Sequence, residues 1–117
     1  MDSILVYIKK LLGYSEDDRS FDDEIMNFIN MAFGRLNQLG VGSTEIFIIT
    51  GTSEKWTDFI GTNKWMEPSK TYIYLKTKIV HDPPLSSIVL ESMKSAIDEL
   101  ECDLRDTAER ERNKNIT

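Results

Sequence analysis

The chain has 117 residues, 40% of them hydrophobic and 29% charged, which describes one small globular domain rather than several. Its 20 acidic and 14 basic residues leave a formal charge of −6, which argues against broad nucleic-acid binding, because that takes a basic stripe to neutralise phosphates. With one cysteine and one histidine there is no intrachain disulfide and no ordinary clustered zinc site, and no apolar run approaches the roughly 18 to 20 residues of a membrane span.

The opening MDSILVYIKK sets its basic residues after the apolar ones, unlike a secretory signal, and points to a protein that is cytosolic when made. Asp2 or Ser3 is placed to cap a first helix over 3–12, with Ile4, Leu5, Ile8, Leu11 and Leu12 as its apolar face and Gly13 as its stop. Glu16, Asp17 and Asp18 follow in a polar linker without the glycine-centred spacing of a calcium loop, so a solvated loop is expected. Ser20 and Asp23 have the spacing of a capping box, and Asp22, Asp23 and Glu24 suit the positive end of a second helix over 22–39. Ile25, Ile29, Ala32, Leu36 and Leu39 recur along it, reinforced by Met26 and Phe33, before Gly40 and Gly42 end it.

Residues 41–63 lack a long element. Ile46 to Thr50 suits a short strand or an extended piece, and Ser53 is placed to cap one or two helical turns on which Trp56, Phe59 and Ile60 share a face. Those aromatics are expected to seal the core, and the polar loop around them to make contacts. The run from Lys64 to Val80 fits either a strand, by alternation, or a helix, by its length without a turn signal. As a helix over 66–80, with Pro68 in its first turn, it puts Tyr72, Leu75 and Ile79 on one stripe with Ile73 and Val80 beside it. Thr71, Tyr74, Thr77, Lys78 and Lys70 take the opposite arc. So wide an apolar arc marks a central helix. Lys76 falls between its apolar flanks, where a lysine needs a partner, so a structural ion pair is expected, with a subunit contact as the alternative.

His81 and Asp82 adjoin without a nucleophile, and with Pro83 and Pro84 they read as a helix end and a rigid corner. Ser86 or Ser87 caps a last helix over 87–105, with Val89, Met93, Ala96, Ile97, Leu100 and Leu104 as its buried stripe. Residues 1–105 therefore form the helical domain and 106–117 a charged tail. Glu101 with Arg105, and Asp106 with Arg110, are spaced as i,i+4 pairs that extend the helix as a solvated piece before its end frays. The fold expected is all-α: a small four-helix domain with an irregular excursion between the second and third helices.

The string TYIYLKTKIVHDPPLSS, followed by a helix ending IDELECDL, resembles the head-tail connector (adaptor) proteins of long-tailed bacteriophages and prophages. ILVYIKKLLGY, FDDEIMNFINMAFGRLNQLGVG and WTDFIG agree in the same order, so the resemblance covers the chain to about Leu104. It implies a mostly helical virion protein, made in the host cytoplasm, that forms a homo-oligomeric ring, dodecameric in the virion, beneath the portal protein. Such a ring extends the channel through which DNA passes as cargo and offers a surface to a neck, stopper or tail-completion protein. In that family the C-terminal part helps attach the adaptor to the portal, which makes Arg105, Asp106, Glu109, Arg110 and Arg112 the candidate docking residues. A passive solvated tail is the plain alternative.

No constellation for catalysis, cofactor binding or metal binding is present in the sequence. A small helical nucleic-acid-binding or protein-interaction regulator of prophage origin is the second reading, because a glycine bend between helices is shared with helix-turn-helix proteins. The irregular stretch after Gly40, where a basic recognition helix would belong, argues against it.

Overall fold

The computed structural model describes residues 3–116, with side chains described through Lys114. Its helices are α1 (Ile4–Leu12), α2 (Asp22–Gln38), the one-turn α3 (Trp56–Ile60), α4 (Ser69–His81) and α5 (Ser87–Ile116), with a 3-10 turn over Lys64–Met66. The all-α expectation holds, and among the described residues only an isolated bridge between Ser3 and Lys55 approaches sheet pairing. Asp2, the alternative cap for α1, and Thr117, the last residue of the expected tail, lie outside the described residues.

Local chemistry sets most helix ends. The Ser3 hydroxyl accepts from the Val6 amide at 3.4 Å, and the Ser86 hydroxyl from the Val89 amide at 3.3 Å, so Ser86 rather than Ser87 caps α5. Gly13 and Gly40 take φ of 95° and 84° after α1 and α2. The amides beyond them close back on Lys9 and Leu36 carbonyls at 2.9 Å, the Schellman arrangement. The Ser20–Asp23 capping box does not form. Asp18 takes the Ser20 amide at 3.1 Å in an Asx turn, and Phe21 becomes the N-cap of α2.

α4 is the central helix, packed on α2 and α5 with α1 against it as well. Tyr72 and Ile73 are fully buried, but two residues differ from expectation: Thr77 is also fully buried and Val80 is 55% exposed. The stripe that meets the neighbouring helices runs Ser69, Ile73, Thr77, at i,i+4 spacing, and its two small residues allow close approach.

The excursion closes the core from one end. Phe33 of α2 packs against Phe47 in a tilted contact and against Phe59 edge-on, at centroid distances of 4.9 and 4.8 Å, and Trp56, 2% exposed, meets Tyr7 edge-on at 5.5 Å. Residues 46–50 are extended rather than a strand, because one side chain replaces a partner strand. The Asn30 amide accepts from Ile49 N at 2.8 Å and donates to Ile49 O at 2.9 Å.

α5 departs most from expectation. It runs beyond residue 105 to Ile116, and its buried residues are Ile97, Leu104 and Ala108, while Val89 is 48% exposed. Met93 and Ala96 are half-buried. At 1.5 Å per residue α4 spans about 20 Å and α5 about 45 Å, so α4 cannot cover its neighbour. The buried contact is made from Ile97 onward, and α5 also packs on the 3-10 turn.

Candidate functional site

From Ile97 to Ala108 α5 is held against the domain, which leaves one face outward. Glu101 is the main fastening: it accepts from the Tyr72 hydroxyl of α4 at 2.6 Å and from Arg35 Nε and Nη2 of α2 at 3.3 and 3.1 Å. Burial pushes its carboxyl up, but the hydrogen bonds from Tyr72 and Arg35, with the charges of Arg35 and Lys76, outweigh that and lower it. The Tyr72 phenol is driven far above its ordinary value, by burial first and then by Glu101. Ala108, one turn after Leu104, continues the buried stripe past its expected end.

At ~100° per residue, Arg105, Asp106, Glu109 and Arg110 occupy an arc of about 140° on the side of α5 away from Leu104 and Ala108. All four are exposed. The structure therefore brings four of the five candidate docking residues onto one surface, with the two acids between the two arginines. Their local partners are not the expected i,i+4 ones. Glu101 is taken by Tyr72 and Arg35, Arg105 lies 3.6 Å from Asp106 and donates to Cys102 Sγ, and Arg110 donates to Thr107 Oγ1 at 3.2 Å. Arg112 sits at the edge of the arc and turns back over Gly40, where an added β-carbon would lie 2.3 Å from its Nη1.

Lys76 stands apart from that surface. It is half-buried, lines a crevice between α2 and α4 with Phe28, Met31, Ala32 and Val80, and acts on Glu101 at longer range. The buried lysine with a close partner is Lys9, 2% exposed, whose ammonium lies 2.9 Å from Asp22 and donates to the Glu16 carbonyl at 3.2 Å. Its signal is its place one helical turn after Leu5, inside the apolar face of α1.

His81 also does more than end a helix. In the neutral imidazole, Nδ1–H donates to the Glu24 carboxylate and Nε2 accepts from the Tyr14 hydroxyl at 2.8 Å. With Phe21 and Phe28 around the ring, this arrangement fastens the α1–α2 linker and α2 to the end of α4. No local pattern announces it, because the three residues are far apart in sequence.

Among the described residues no group of three or more His, Cys, Asp or Glu could hold a metal ion, and no helix is long and apolar enough to cross a membrane. The described residues form a helical body whose surface carries both charged and apolar faces. A family model described as phage connector protein matches residues 4–111, which include Arg105, Asp106, Glu109 and Arg110 and stop before Arg112. The chain belongs to this phage connector family, a structural family of the phage particle whose members interact with head and tail proteins. Comparison with curated proteins gives no match, and comparison with solved structures gives none.

Proposed function

We propose that this connector assembles as a ring beneath the portal protein, extends the DNA channel, and carries the surface on which a neck, stopper or tail-completion protein attaches. The outer arc of α5 is its portal-docking surface. One observation carries the docking reading: Arg105, Asp106, Glu109 and Arg110 face outward on a helix held from behind by Glu101, Leu104 and Ala108. Mixed charges on a helix held from behind set register and orientation against a complementary partner. The net charge of −6 suits a conduit that repels passing DNA better than a clamp. Catalysis plays no part in this role.

The test is portal binding by the double variant Arg105→Glu, Arg110→Glu. Reversal is preferable to cutting the chain at 106, because the cut removes the buried Ala108. The variant should keep its helicity and melting behaviour while its affinity for the cognate portal falls about tenfold at low salt and the difference shrinks at high salt. Binding at full strength at every salt concentration overturns the docking surface.

A further inference from the structure

Two of the apolar surfaces that the domain leaves exposed lie on different elements and differ in charge at their rims. The first is the outer face of the N-terminal half of α5. Ile88 is 78% exposed, and at ~100° per residue it shares an arc with Glu91, Ser95 and Glu99. Leu85, just ahead of the helix, is fully exposed. The second is a groove on α1 lined by Val6, Tyr7, Lys10 and Leu11. Leu11 belongs to the expected buried face but is 47% exposed, and Lys10 has no ion-pair partner among the described residues. Lys70 brings a second cation to this rim, its ammonium 5.8 Å from the centre of the Tyr7 ring and paired with the exposed Glu67 at 3.1 Å.

These surfaces do not cover each other within one chain. α1 packs on α2 and α4, whereas α5 packs on α4 and the 3-10 turn. Glu91 lies 3.7 Å from Lys94 and Lys70 lies 3.1 Å from Glu67, so the charges without an ion-pair partner among the described residues are Glu99 on the α5 face and Lys10 on the groove rim. A contact of α5 face on α5 face would offer Glu99 no unpaired cation, and a contact of groove on groove would offer Lys10 no unpaired anion. The arrangement that buries both apolar surfaces and pairs the charges is face into groove.

We propose that the α5 face of one subunit seats in the α1 groove of a second copy of the chain, with Ile88 against Leu11 and Tyr7 and with Glu99 toward Lys10. Such a contact is heterologous, and heterologous contacts close into rings when the rotation allows. The inference rests on the ring reading above and assigns its subunit seam, distinct from the portal-docking arc farther along α5.

The experiment uses two single-cysteine variants of the full chain in a Cys102→Ser background, Leu11→Cys and Ile88→Cys, mixed and oxidised with and without portal. Both positions are exposed, so the variants should fold, which circular dichroism checks. The expected product is a mixed disulfide that far exceeds either homodimer. In parallel, Lys10→Glu should weaken assembly about tenfold in native mass spectrometry, and adding Glu99→Lys in the same chain should restore it. Rings that form without the mixed disulfide, or with the Ile88→Cys homodimer dominant, overturn this seam and leave the ring reading intact. A chain that stays monomeric at every concentration and beside portal overturns both.

Discussion

The Tyr72 hydroxyl donates to Glu101 at 2.6 Å, joining a fully buried phenol on α4 to a carboxylate on α5 that Arg35 of α2 also grips. Three helices thus meet at one side chain. Tyr72→Phe keeps the ring and its packing but takes one donor from a charged acceptor, so it should cost roughly 1–3 kcal/mol. Urea denaturation with an unchanged slope checks it. A midpoint equal to that of the parent would remove this bond from the account of stability.

The same carboxylate makes stability depend on pH. Because the folded-state pKa of Glu101 is lowered, its contribution is fully present above the ordinary glutamate range and is lost as pH falls through the lower folded value. Glu101→Gln should be less stable than the parent near neutrality, and the gap should narrow in acid. Denaturation midpoints taken across the acid range in both proteins test the sign.

The Lys9–Asp22 pair offers a second test, at the other end of the domain. Lys9→Met leaves the Asp22 carboxylate, only 13% exposed, with the solvent-exposed Arg19 at 3.5 Å as its remaining cation, which should cost up to about 3 kcal/mol. Adding Asp22→Asn should recover a large part of that loss. A double variant no more stable than Lys9→Met would show that the lost packing of the lysine stem, rather than the stranded charge, sets the cost.

Gly40 joins a backbone requirement to a contact. Its φ of 84° disfavours a β-carbon, and the space that such a carbon needs holds the Arg112 guanidinium. Gly40→Ala should destabilise by about 1–2 kcal/mol. In an Arg112→Ala background the cost should fall but not vanish, because the side chain yields and the backbone strain does not. Equal costs in the two backgrounds would show that Arg112 makes no energetic contact there.

What could be read in the chain was what repeats or punctuates. The stripes through Ile25, Ile29 and Leu36 and through Tyr72, the Ser3 cap and the stops at Gly13 and Gly40 all rest on local rules. The candidate charges of α5 come from the family resemblance, and helical spacing places four of them outward once the helix runs past 105. What escaped had no local signature. Ala108 and Thr77 were passed over because one is small and the other polar, yet both sit at i,i+4 from buried residues. The grip on Glu101 and the link from Glu24 through His81 to Tyr14 depend on residues brought together only by the fold. Val89 and Leu11 were placed in the core because amphipathicity locates an apolar face without saying whether another part of the same chain reaches it.

The length of α5 has a mechanical consequence. It runs unbroken from Ser87 to Ile116, and its fully buried side chains are all at Ile97 and beyond. A stiff rod held at several points sets a fixed spacing between the surfaces that it carries. The 17 residues from Ile88 to Arg105 place the exposed apolar end and the charged arc about 25 Å apart along one axis, so partners seated on the two surfaces are held at a distance that the helical rise dictates.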